Sequence, residues 1–309
     1  MITATALSKR YKNKLAVDNI DFCVTPGRVT GFLGPNGAGK STTMRMMVGL
    51  DQPSGGSVTV NGRPYREHQA PLRQVGVLLD AKAVHPGRSA YSHLRSIAAT
   101  HDIRASRVRE LLGLAGLESV AHKRIGGFSL GMAQRLGIAV ALLGDPATVI
   151  LDEPVNGLDP EGVRWMRNLM KSLASEGRTV LLSSHLMSEM AQTADHLIVI
   201  GRGNILADGP LNDVITRATP TVTRVRTLDP QRLAAAIASP SVTISYLDDS
   251  RLDISGITPE QLAVTAASAD VLLYEVVTIS GSLEDAYLAL TAGEVEYRAS
   301  NTLEMGANR

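Results

Sequence analysis

The stretch Gly34-Pro35-Asn36-Gly37-Ala38-Gly39-Lys40-Ser41-Thr42 meets every fixed position of the pattern G-x-x-x-x-G-K-[ST]. It constrains the fold because such a loop functions only between a strand and a helix. The run 29–33 ahead of it is short and apolar, as a buried strand is. The run 41–50 behind it carries apolar residues at helical spacing and stops near Gly49. An α/β fold of the P-loop type is the expectation. Glycines let the backbone approach phosphates closely, and N–H groups at a helix N-terminus favour anions. Lys40 then reaches the β- and γ-phosphates, and the Ser41 hydroxyl holds Mg²⁺. The alternative, a glycine-rich turn that binds nothing, is opposed by both flanks.

A length of 309 residues suggests about two domains. With 44% hydrophobic and 20% charged residues, the chain reads as an ordinary globular protein able to bury a sizeable core. The net charge of +1 gives no argument for nucleic acid or an anionic membrane surface. Cys23 is the only cysteine, which excludes an internal disulfide and fits a reducing compartment. No stretch approaches the roughly 18 apolar residues of a membrane span, and no basic segment followed by an apolar core opens the chain. The expectation is a chain that neither spans a membrane nor is secreted by the usual signal.

Residues 2–7, 15–24 and 29–33 read as strands, with Pro26-Gly27 as a break. Tyr11, in the polar stretch 9–14, either stacks on a nucleotide base with Val17 as an apolar neighbour or is a partly buried loop tyrosine. Turn signals bracket a strand at 57–60, and 75–79 is a second apolar strand ending in Asp80. From Ser89 to about Leu117 the pattern turns helical, which places a helical subdomain at about 85–145. Within it, Ser129 and Gly131 precede a helix over 132–143; Ser129 is a plain N-cap or part of an anion contact. The apolar run 148–151 then leads into Asp152 and Glu153. An aspartate at such a strand end is placed to fix Mg²⁺, and an adjacent glutamate can polarise a water lined up with the γ-phosphate. Alone, the pair reads equally as a strand-end cap. Gly157-Leu158-Asp159-Pro160 reads as a turn, and His185 follows the apolar strand 179–183; alone it reads as a satisfied, half-buried histidine.

Taken in this order, the motifs resemble the ATP-binding subunit of ABC transporters over roughly residues 1–215. The resemblance implies that Tyr11 stacks on adenine beside Val17 and that Gly34–Thr42 holds the phosphates. Phe128-Ser129-Leu130-Gly131-Met132 stands where the family signature is usually Leu-Ser-Gly-Gly-Gln, and keeps Ser129 and Gly131. Asp152 matches the metal-binding aspartate, Glu153 the catalytic glutamate, Asp159 the dimer-interface loop and His185 the histidine that senses the γ-phosphate. Lys40, Glu153 and His185 are then the catalytic set, and Ser41 and Asp152 the metal set. Asp80 stands where the family usually has a glutamine beside Mg²⁺; either it approaches the metal through a water or it lies outside the site. Asp80, Leu130, Met132 and the C-terminal tail look like the bacterial drug-resistance and antibiotic-export (ABC-2 type) branch.

What the resemblance implies is a motor subunit using ATP and Mg²⁺ on the cytoplasmic face of the membrane. Two chains, as a homodimer, would sandwich two ATP molecules and drive a separate permease, with no nucleic acid as partner. The alternatives are an importer ATPase or a soluble ABC-type ATPase acting on ribosomes or DNA. The soluble type usually carries tandem cassettes or a long coiled-coil insertion, and this chain has neither. A non-hydrolysing regulator would be expected to lack Glu153 or His185.

Residues 196–200 and 205–207 read as a hairpin, and the Thr-, Arg- and Pro-rich stretch 216–220 as a boundary between domains 1–217 and 218–309. Beyond it, strands at 221–226, 242–246, 251–254 and 272–279 and helices at 230–238 and 259–269 give the ferredoxin-like order βαββαβ. An amphipathic helix over 283–290 follows, and the last dozen or so polar residues are expected to fray. No ligand constellation is visible here, and support of assembly is the expected role.

Overall fold

In the computed structural model, which describes residues 1–81 and 83–292, two long antiparallel strands open the chain. These are β1 (Ile2–Tyr11) and β2 (Lys14–Val24), joined through Lys12 and Asn13, with Lys12 at φ 49°. Tyr11 therefore ends a strand and pairs with Lys14, and 9–14 is not an open loop. Next come β3 (Val29–Leu33), α1 (Lys40–Met47) and β4 (Gly55–Val60). Strand β4 pairs antiparallel with β1, giving a three-stranded sheet in the order β2-β1-β4.

A single turn, α2 (Pro71–Gln74), leads into β5 (Val75–Leu78). The helices α3 (Ala90–Thr100), α4 (Ala105–Leu114) and α5 (Leu130–Ala141) follow. Ser89 caps α3 by accepting the Ser92 N–H, and Asp102 at φ 57° lies in the break before α4. Then β6 (Thr148–Leu151), α6 (Pro160–Ser175), β7 (Thr179–Ser183), α7 (Met187–Thr193), β8 (His196–Gly201) and β9 (Asn204–Pro210) complete a six-stranded sheet ordered β5-β6-β7-β3-β8-β9. All its pairings are parallel except β8 with β9. Strands β3, β6, β7 and β8 are buried at every residue, as strands covered on both faces are. Between the two sheets lies one core, in which Phe22 and Phe32 meet at 6.0 Å with Met44, Met47 and Ile198.

Where the sequence signals a turn, at Asp159-Pro160, α6 begins. Asp159 is its N-cap, accepting the Gly162 N–H at 2.8 Å, and Pro160 opens the helix, where it sacrifices no hydrogen bond. Met166, Met170, Leu173 and Ala174 form its buried stripe.

Chain contacts divide the protein into Met1–Leu211 and Asn212–Leu290, ahead of the expected break at 217/218, and α8 (Leu211–Ala218) crosses the division. The second unit contains β10 (Val222–Thr227), α9 (Pro230–Ile237), β11 (Thr243–Tyr246), β12 (Arg251–Ser255), α10 (Pro259–Ser268), β13 (Leu273–Ile279) and α11 (Leu283–Thr291). The sheet order β11-β12-β10-β13 is antiparallel throughout, with the helices inserted in the ferredoxin-like sequence. Val225, Leu252 and Ile254 pack with Leu233, Ile237, Leu262 and Ala266. Thr258 and Gln261 close a reciprocal capping box at the start of α10. The expected fraying of the last dozen residues falls outside the described residues.

Candidate functional site

Strand β3 delivers the chain into the glycine-rich loop, and two of its glycines are obligatory. A Cβ at Gly34 would lie 2.3 Å from the Ile200 carbonyl oxygen. Gly39 has φ 108° and its Cβ would lie 2.6 Å from the Ala16 oxygen. The loop is braced from behind, since Ala38 is buried and its carbonyl accepts the Gly203 N–H at 2.9 Å. Asn36 and Gly37 stand exposed at the tip. Lys40 then begins α1, and its ammonium donates to the carbonyls of Gly34 and Pro35. Burial lowers the Lys40 pKa from its usual value, against the opposing pull of Glu153 and Asp152.

The acidic pair follows β6, the strand next but one to β3. Asp152 accepts the Ser41 hydroxyl at 3.0 Å on Oδ2 and the Ser183 hydroxyl on Oδ1. Glu153 sits at φ 50°, in the left-handed region, where a non-glycine residue carries strain of about 1–3 kcal/mol. Three contacts hold its backbone there: its N–H donates to Ser183 Oγ at 2.9 Å, and its carbonyl accepts Gln134 Nε2 at 3.0 Å and the Asn156 N–H at 3.2 Å. Its side-chain Oε2 lies 2.7 Å from His185 Nδ1 and 3.3 Å from the His185 N–H. Against a carboxylate, Nδ1 carries the proton, leaving Nε2 as the second functional nitrogen.

Tyr11, Ala16, Gly39, Lys40, Asp152 and Glu153 share one cleft of about 400 Å³, together with Pro35, Ser41 and Thr42. The expected neighbour of the base, Val17, is fully buried instead. The cause is a bulge: Lys9 pairs with Val17 and Arg10 with Leu15, so Ala16 is the extra residue. Ala16 thus lines the cleft and Val17 enters the core.

Ser129, Gly131 and Asp80 do not line this cleft. Ser129 caps α5 by accepting the Met132 N–H at 3.2 Å, and a Cβ at Gly131 would lie 2.7 Å from the Gly157 oxygen. Asp80 is exposed just beyond β5, with its carbonyl accepting the Ala83 N–H. Three participants were not anticipated: Ser183, Gln134, and Asp51, whose carboxylate accepts the Tyr11 hydroxyl at 2.7 Å. Ser183 had a signal, a polar residue closing an apolar strand.

Comparison with known proteins agrees with this geometry. A family described as "ABC transporter" matches residues 17–156, and a domain of unknown function matches residues 221–284. The chain is 32% identical over 288 residues to the uncharacterized ABC transporter ATP-binding protein YhcH of Bacillus subtilis, covering 92% of this chain and 94% of that protein. It is 40% identical over 220 residues to the bacitracin transport ATP-binding protein BcrA of Bacillus licheniformis, covering 70% and 72%. A solved ATP-binding subunit of an ABC transporter superposes with a TM-score of 0.65 at 27% identity, covering 70% of this chain and 92% of that one. The chain belongs to the ATP-binding subunits of ABC transporters and is an ATPase of that kind. No helix among the described residues is long and apolar enough to cross a membrane.

Proposed function

We propose that the chain powers export of a drug, antibiotic or lipid-like compound through a separate permease, working as a homodimer on the cytoplasmic face of the membrane. The observation that carries this reading is the joined set Ser41–Asp152–Ser183–Glu153–His185, which stands against the phosphate loop. The loop N–H groups and Lys40 bind the phosphates of ATP, and Tyr11 stacks on the base. Ser41 and Asp152 offer hard oxygen ligands 3.0 Å apart. Among the described residues no three His, Cys, Asp or Glu side chains gather into a metal cluster. Ser41 and Asp152 would hold Mg²⁺, a cation that such hard oxygen donors suit and that would supply neutralisation of charge on the transferred group. Glu153 withdraws a proton from the attacking water while His185 orients its carboxylate through Nδ1 and presents Nε2 towards the γ-phosphate. Ser129 and Gly131, which lie outside this chain's own cleft, would meet the γ-phosphate of ATP held by a second copy. The resemblance to a bacitracin transport protein supports the substrate class.

The test is ATPase rate beside size-exclusion chromatography with ATP. Glu153→Gln binds ATP nearly normally, loses turnover by about 10²- to 10⁴-fold, and accumulates as an ATP-bound dimer. Lys40→Ala loses nucleotide affinity instead. Near-normal hydrolysis by Glu153→Gln sinks the assignment.

A further inference from the structure

The hydroxyl of Tyr11 is not free to follow a ligand. It donates to Asp51 Oδ2 at 2.7 Å, and that oxygen also accepts Arg45 Nε at 2.8 Å. The Asp51 N–H and the Leu50 N–H both return to the Arg45 carbonyl, at 3.3 and 2.9 Å, which fixes the backbone that carries the carboxylate. Lys9, two residues before the tyrosine, places its ammonium 4.9 Å from the ring centroid and donates to the Gln52 carbonyl at 2.6 Å. The residue remains 43% exposed and lines the cleft. Two side chains at the end of β1 are thus tied to one short segment, Asp51-Gln52, just past the end of α1.

The same helix begins with Lys40 and Ser41. Its 8 residues carry the phosphate-binding groups and Thr42, which also meets the Tyr11 hydroxyl, in the first turn, and Arg45, the brace of Asp51, in the last. We propose that Asp51, held by Arg45, is a positioning residue for nucleotide binding: it fixes the Tyr11 ring at a set distance from the phosphate loop, so that base and phosphates are gripped by one rigid piece. A ring already held in place loses less freedom when a base stacks on it, and the affinity saved is that of one immobilised side chain. Asp51 touches no substrate atom and acts through the tyrosine. The inference rests on the reading that Tyr11 stacks on the base.

The experiment compares dissociation constants for ATP and for inorganic tripolyphosphate, which has no base, by calorimetry. The full chain is used as wild type, Tyr11→Ala, Tyr11→Phe, Asp51→Ala and the Tyr11→Phe/Asp51→Ala double variant. Tyr11→Phe and Asp51→Ala each weaken ATP by about 3- to 10-fold, and the double variant is no weaker than Tyr11→Phe, in which the bond to Asp51 is already lost. Tripolyphosphate binding stays unchanged throughout. Equal losses for ATP and tripolyphosphate would show only a disturbed phosphate loop and overturn the inference. So would an unaltered ATP affinity in Asp51→Ala alongside a loss in Tyr11→Ala. An unaltered affinity in Tyr11→Ala refutes instead the stacking role of the tyrosine. Tyr11→Phe, which deletes a single oxygen, answers the question even if Asp51→Ala folds poorly.

Discussion

Replacing Ser183 by alanine removes one oxygen atom and should damage both stability and turnover. The residue is fully buried, and its hydroxyl joins the two acidic residues by donating to Asp152 and accepting the Glu153 N–H. A buried donor left unpaired costs about 1–3 kcal/mol, and a hydrogen bond to a charged group contributes about 1.5–3 kcal/mol. The second loss is softened, because Asp152 is only partly buried and keeps the Ser41 hydroxyl. The expected net destabilisation is therefore about 2–4 kcal/mol. In a unit spanning Met1–Leu211 this lowers Tm by about 5–12 °C. Turnover should fall as well, by about 10-fold or more, since the left-handed backbone of Glu153 then loses its N–H partner and is held only through its carbonyl, by Gln134 and the Asn156 N–H, so that its carboxylate is aimed less firmly. Thermal unfolding by circular dichroism gives the first number. The ATPase rate, taken well below both transitions, gives the second. A Tm within about 1 °C of wild type together with normal turnover would refute the claim that Ser183 holds the pair in place.

Asp80→Gln should be tolerated, whereas Asp80→Ala should weaken the coupling of ATPase to permease; identical rates in all three forms, with and without permease in membranes, place Asp80 outside the site. A chain ending at Arg217 should bind ATP with the affinity of the full chain, because the cleft lining lies wholly before Pro154, but should dimerise or couple poorly. Loss of ATP binding in a truncated chain shown to be folded by circular dichroism would make the C-terminal unit part of the nucleotide site.

The phosphate loop was legible because its chemistry leaves few residue choices: glycine where a Cβ meets a carbonyl, and a lysine and a serine at the start of the helix that follows. The six-stranded sheet was legible for a different reason. Strands covered on both faces read as unbroken apolar runs, and 148–151 and 179–183 do. Two features escaped. Helix α6 was hidden because Asp159-Pro160 signals a turn and a helix start equally. The guanidinium of Arg135 stacks 4.8 Å above Trp165, so the aromatic belongs to a surface pairing. The burial of Val17 was hidden by the bulge at Ala16, which shifts the inside–outside alternation by one residue, and a bulge leaves little trace in composition. Likewise, the Tyr11–Asp51 bond joins residues 40 apart, beyond any local pattern.

The position of β3 between β7 and β8 has a consequence for synthesis. The strand that carries the phosphate loop is made early, yet both its hydrogen-bonding neighbours come from residues 179–201. Until Ser183 has left the ribosome Val29–Leu33 has no strand partner, and until Gly201 has followed it lacks the second and Gly34 lacks the Ile200 wall against which its loop is shaped. At ordinary elongation rates of about 5–20 residues per second, the interval from Leu33 to Gly201 is roughly 10–30 s. Through most of it the nascent chain displays an unpaired apolar strand, and throughout it has no formed nucleotide cradle. ATP can therefore assist the final closure of the first unit but cannot template its beginning, and the vulnerable window for misassembly lies wholly before the end of β8.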